Sequence, residues 1–194
     1  MSPVNYGPSD INNPRGTPFA GMVPESYWMT KALLFDFDWI IREAAFKNPV
    51  MPDHQDSATS ALGLKETFQT LRSYEIRLAL TSNQSQKVVV PALSNLGLAN
   101  DFDCIRCAEE LPAFKPSPEL YINVLETLGI RPIKAIALET SQEGIDAAKG
   151  AELFCVTMEG CPKGDFVLPS FMGRKMIPLL EEMDKMKRQK YQKR

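Results

Sequence analysis

Histidine is almost absent from this chain: His54 is the only one among 194 residues, and it lies in a polar stretch that reads as a solvated loop. A histidine-based zinc site or a serine–histidine triad therefore has almost no material. Cysteine is scarce too. Cys104, Cys107, Cys155 and Cys161 are the only four, embedded in apolar runs, and they do not suggest a disulfide scaffold. Cys104 and Cys107 have C-x-x-C spacing, but residues 102–108 read as a strand. There the two side chains point to opposite faces, a poor geometry for one metal, and buried thiols are expected. No uninterrupted apolar run approaches the roughly 18 residues that cross a membrane. The first residues show no basic segment leading into an apolar one, so no signal peptide is expected. The formal net charge of -2 gives no global case for nucleic-acid binding. These absences predict a soluble intracellular protein, cytoplasmic or organellar, with the mitochondrial matrix among the compartments allowed.

What is present organises into one domain with two extensions. Residues 1–30 are rich in proline, glycine and asparagine. Pro3, Pro8, Pro14, Pro18 and Pro24 make a continuous helix or central strand improbable, so this segment reads as an extended arm. Residues 31–174 alternate between strand and helix patterns. Strands are predicted at Lys31–Phe37, Arg77–Ser82, Asp103–Cys107, Lys134–Leu138 and Leu153–Met158. Helices are predicted near Leu64–Ser73, Ser85–Leu96, Pro118–Leu128 and Gly144–Lys149. The strands are short and apolar at successive positions, which is how strands covered on both faces read. In the helix after Ser117, that serine reads as the cap with Pro118 at the first helical position, and Gly129 ends it. The expected class is α/β, a three-layer Rossmann-like parallel sheet with helices on both faces. Residues 175–194 read as a basic C-terminal helix or tail.

The residues that carry chemistry fall at the C-terminal ends of the predicted strands, the edge where open α/β sheets bind ligands. Asp36 and Asp38 end the first strand, Ser82 the second and Glu139 the fourth. A carboxylate at Asp36 could attack phosphorus if a divalent cation offset the repulsion between anions. Asp38 could protonate the leaving oxygen and later activate water. Ser82 could hold a phosphoryl oxygen, Lys115 could neutralise developing charge, and Glu139 could approach the cation. Each also has a purely structural alternative, from capping a turn at Ser82 to a Lys115–Glu139 ion pair.

The segments Phe35-Asp36-Phe37-Asp38, Leu80-Thr81-Ser82-Asn83, Lys115-Pro116-Ser117-Pro118-Glu119 and the E-x-S-x-x-G-I-x-A-A run from Glu139 to Ala148 together resemble the haloacid dehalogenase-like (HAD-like) hydrolase superfamily. The resemblance is to its beta-phosphoglucomutase-like branch, and it covers roughly Lys31 to Met158. It implies Asp36 as nucleophile, Asp38 as acid/base, Ser82 as phosphate-holding hydroxyl and Lys115 as the charge-neutralising lysine. It further implies Asp36, Asp38 and Glu139 around Mg²⁺ if the protein is active, and no cofactor if it is not. Three departures bear on this expectation. Trp39 stands where the family usually has glycine and is expected to crowd and block the phosphate entrance. Thr140 stands where the family's metal loop has an aspartate, which weakens the metal set. The stretch Arg42 to Ala61 is short for the usual helical cap, so the cap is read as reduced to a short insert.

The departures and the two extensions predict a catalytically inactive domain serving as a structural or interaction subunit of a larger protein assembly, contacted through the N-terminal arm and the C-terminal tail. The alternative is a Mg²⁺-dependent phosphomonoester hydrolase with an open site, working through an aspartyl-phosphate. A further alternative is a ribonucleoprotein-associated subunit that meets RNA through residues 185–194.

Overall fold

The computed structural model describes residues 29–45, 57–110, 113–168 and 175–192. The N-terminal arm up to residue 28, His54 and most of the segment read as a reduced cap, residues 46–56, lie outside the described residues. The element order is β1 (Ala32–Asp36), α1 (Phe37–Ala45), α2 (Ser57–Ser73), β2 (Arg77–Ser82), α3 (Gln86–Asn95), β3 (Cys104–Cys107), α4 (Glu119–Leu128), β4 (Ala135–Glu139), α5 (Gln142–Gly150), β5 (Phe154–Met158), β6 (Phe166–Leu168) and α6 (Met176–Gln192). Six parallel strands form one sheet in the order β3-β2-β1-β4-β5-β6. This is the expected three-layer α/β class.

The strand pattern explains the layers. Along β1, Leu33 and Phe35 enter one apolar cluster while Ala32 and Leu34 enter the other, as the two-residue period of a strand requires. The first cluster lies beneath α1, α2, α3 and α6; the second lies beneath α4 and α5. Cys104 joins the second cluster and Cys107 the first, so the two thiols do lie on opposite faces of the sheet.

Four local expectations need correction. The first strand, expected over Lys31–Phe37, ends at Asp36, and an unpredicted helix, α1, begins at Phe37. The helix at 64–73 starts earlier, at Ser57. In α4 the cap residue is Pro118 and no side chain caps it, so Ser117 is not the cap. Gly129, with φ 64°, ends that helix in the left-handed conformation that glycine adopts at little steric cost. The fourth correction is β6, a three-residue edge strand too short to leave a pattern.

The C-terminal segment is a helix held against the domain rather than a solvated tail. Met176, Leu179, Leu180 and Met183 recur at helical spacing and are buried in the first cluster. Lys187 falls on the same stripe and is buried with them. Its Nζ bonds Asp184 Oδ1 at 2.8 Å and Thr30 Oγ1 at 2.8 Å. Asp184 also accepts the Thr30 N–H at 3.0 Å and the Thr30 hydroxyl at 2.6 Å. The helix therefore ties down Thr30, two residues before β1. Lys190 pairs with Asp165 at 2.6 Å, so two lysines of the basic run are engaged within the chain.

Candidate active site

The sheet order puts β1 in the interior between β2 and β4, and the site gathers where these three strands end. Asp36 is the last residue of β1. Asp38 lies in the first turn of α1, where the helix N-terminus favours a carboxylate. Ser82 ends β2, and its Oγ accepts the Gln84 N–H at 3.0 Å, which fixes the turn into α3. Asn83 clamps the backbone of Lys115 from both sides: the Lys115 N–H donates to Asn83 Oδ1 at 2.9 Å, and Asn83 Nδ2 donates to the Lys115 carbonyl at 3.2 Å. A loop residue is thereby fixed to the end of β2.

Lys115 is the hub. Its side chain is 3% exposed, and Nζ lies 2.9 Å from Asp36 Oδ1 and 2.6 Å from Glu139 Oε1. Burial alone would lower its pKa, but the charges of Glu139 and Asp36 outweigh that and raise it, so it stays an ammonium. Glu139 is fully buried at the end of β4. Burial pushes its carboxyl up, with Lys115 opposing. The Tyr121 hydroxyl donates to the same Oε1, and the Thr140 N–H donates to Oε2 at 3.2 Å. The Thr140 hydroxyl donates to Asp36 Oδ2 at 2.9 Å.

Asp36, Asp38, Ser82, Asn83, Gln84, Lys115 and Ser141 line one cleft of about 120 Å³. The four residues expected to carry the chemistry are thus brought together. Asn83, Gln84, Ser141 and Tyr121 belong to the same neighbourhood, and the sequence assigns none of them a role in the site. Asn83 and Ser141 lie within the motifs and Gln84 directly follows one, and that position is the available signal; Tyr121 reads only as one more apolar position of α4.

Trp39 does not block the entrance. It is fully buried in the first apolar cluster and is not part of the cleft lining. Because α1 starts at Phe37, residue 39 is already helical and turns toward the core. No glycine-like backbone is needed there; the only non-glycine residues at positive φ among those described are Glu75 and Glu152.

The donor set decides how a cation fits. No three His, Cys, Asp or Glu side chains among the described residues group as metal ligands. Glu139 is hydrogen-bonded to Lys115, Tyr121 and the Thr140 amide, and to act as the expected third ligand it would exchange one of these bonds for the cation. Asp36 and Asp38 remain. Burial raises the pKa of Asp38, and the Asp36 charge raises it further; Arg42 and Lys115 only partly offset this. Carboxylates lining a polar cleft suit Mg²⁺, which commonly takes one or two of them together with water and substrate phosphate.

A parallel α/β sheet carrying paired aspartates, a hydroxyl and a buried lysine at its C-terminal edge is the arrangement of a phosphoryl-handling hydrolase fold. A family model described as haloacid dehalogenase-like hydrolase matches residues 42–158, more than half of the chain, and the chain belongs to that family. The matched region begins after Asp36 and Asp38. Among curated proteins, the chain is 35% identical over 89 residues to a phosphorylated carbohydrates phosphatase of Thermotoga maritima, covering 46% of this chain and 41% of that protein. It is 30% identical over 94 residues to a phosphoglycolate phosphatase of Pseudomonas putida, covering 48% of this chain and 35% of that protein. The chain therefore spans about half or less of the length of these relatives. Among solved structures, the beta-phosphoglucomutase of Clostridium difficile superposes with a TM-score of 0.59 at 18% identity, covering 86% of this chain and 100% of that one, a likeness of fold. No helix of the described residues is long and apolar enough to cross a membrane.

Proposed function

We propose that this cleft hydrolyses a phosphate monoester through Asp36. The observation that carries the reading is the convergence of Asp36, Asp38, Ser82 and Lys115 on one polar cleft, with Trp39 withdrawn into the core. In this reading an Asp36 carboxylate oxygen attacks phosphorus and the bond from phosphorus to the ester oxygen breaks. Asp38, whose raised pKa favours the acid form, gives its proton to the departing oxygen. Asp38 then takes a proton from water as that water attacks the phosphoryl group, releasing inorganic phosphate and restoring Asp36. Lys115 holds Asp36 in place, and the Ser82 hydroxyl is positioned to donate to a phosphoryl oxygen. Mg²⁺ held by the Asp36 carboxylate would supply the positive charge that lets a phosphate approach the two aspartates.

A second reading, a catalytically silent domain kept for protein contacts, is favoured by one specific contact. The Thr140 hydroxyl occupies Asp36 Oδ2, so a neutral donor faces the oxygen that a cation would need. One experiment separates the two. Calorimetry would follow Mg²⁺ with beryllium fluoride, a phosphoryl mimic that caps an activated aspartate, and phosphate release from p-nitrophenyl phosphate would be followed alongside. The hydrolase reading expects joint binding and turnover in the wild type, both abolished by Asp36→Asn with folding intact. A folded wild type that neither binds the pair nor releases phosphate would overturn it in favour of the silent domain.

A further inference from the structure

The hydroxyl of Tyr121 has no place in the chemistry above, yet it reaches the centre of the site. Tyr121 is fully buried on α4, and its hydroxyl donates to the same Glu139 oxygen that Lys115 contacts. Lys115 Nζ lies 5.3 Å from the centre of the Tyr121 ring, so the phenol meets the ammonium with its face and the carboxylate with its hydroxyl. The carboxylate is packed closely against Gly144. A Cβ at Gly144 would fall 1.9 Å from Glu139 Oε2, so the group already fills the space that this glycine leaves. Burial and the neighbouring charges of Glu139 and Asp36 keep the phenol protonated, hence a donor.

We propose that Tyr121 is a positioning residue of this site: by sharing Glu139 Oε1 with Lys115, its hydroxyl keeps the ammonium bridged to Asp36 instead of drawn wholly to Glu139. A hydrogen bond to a carboxylate withdraws negative charge from the oxygen that accepts it. Lys115 therefore divides between two partners at 2.6 Å and 2.9 Å. The effect of Tyr121 on turnover rests on the hydrolase reading; the placement of the ammonium does not.

The test uses the full chain with Tyr121→Phe, which keeps the ring and removes the hydroxyl, together with Glu139→Gln and the double variant. With p-nitrophenyl phosphate, Tyr121→Phe is expected to lower kcat about tenfold while leaving KM within about twofold. In the Glu139→Gln background the same change should have little further effect, because residues acting through one partner are non-additive. A tenfold loss that persists in that background overturns the proposal. The second readout needs no substrate: the ¹⁵N ammonium resonance of Lys115 in lysine-labelled, ligand-free protein. It should shift in Tyr121→Phe, and also in Gly144→Ala, whose added methyl falls against the Glu139 carboxylate. An unmoved resonance in folded Tyr121→Phe overturns the positioning role. If the wild type proves inactive, this resonance alone decides, so the two readings fail separately.

Discussion

Lys115 and Lys187 are withdrawn from solvent to nearly the same degree, their side chains 3% and 0% exposed, yet their surroundings push them in opposite directions. Lys115 meets two carboxylates, those of Asp36 and Glu139, and its pKa is raised despite burial. Lys187 meets one carboxylate, Asp184, and the Thr30 hydroxyl, with Lys134 adding repulsion; burial prevails and its pKa is lowered. Burial sets the cost of keeping a charge, and the number of opposite charges within reach decides whether that cost is met. The comparison separates a lysine built into a reactive cluster from one used to fasten a helix.

Replacing each lysine with methionine, which keeps much of the volume, sharpens that contrast. Lys115→Met leaves two neighbouring buried carboxylates without their cation and should destabilise the protein by about 3–5 kcal/mol near neutral pH. Denaturant titration measures this, and the loss should shrink in mild acid as Glu139, whose pKa is already raised, takes up a proton. Lys187→Met leaves only Asp184, whose side chain is 18% exposed and keeps its bonds from Thr30. That change should cost about 1 kcal/mol or less. Equal losses in the two variants would break the comparison and make Lys187 as tightly matched as Lys115.

The same two residues show what the sequence could and could not yield. Lys115 was legible because it sits in a lysine-proline motif whose order relative to Asp36, Ser82 and Glu139 fixes a strand-edge site. Lys187 reads in the sequence as part of a basic helix or tail and not as a buried position, because its neighbours Lys185, Arg188 and Lys190 mask the spacing that joins it to Met176, Leu180 and Met183. Trp39 failed for a related reason. It stands where the resembled family usually has glycine, but α1 already begins at Phe37 and turns the indole into the core. The parallel sheet was legible because doubly covered strands are apolar throughout; Tyr121 was not, since an apolar helix position gives no sign of where its hydroxyl points. Side-chain direction is set by packing between elements far apart in the chain, and no local pattern records it.

The smallest effect expected is also the one that isolates the two lysines most cleanly. The folded pKa of Lys187 lies below its ordinary value of 10.5, so between those two pH values the unfolded chain binds more protons than the folded one. The stability contributed by this group therefore rises as pH climbs toward 10.5. Lys115 has the opposite sign: its folded pKa lies above 10.5, so its contribution is intact below that pH and is lost as pH rises through the folded value. Other groups titrate nearby. Lys134 is shifted in the same direction as Lys187, and Cys155 and Tyr121 are raised by burial, so the raw alkaline profile mixes several slopes. Subtracting each variant's unfolding free energy from that of the wild type at each pH cancels most of what they share. The wild type should gain on Lys187→Met as pH rises toward 10.5, and should keep its full lead over Lys115→Met until beyond it. Two difference curves with the same slope would mean that partner number does not separate these lysines.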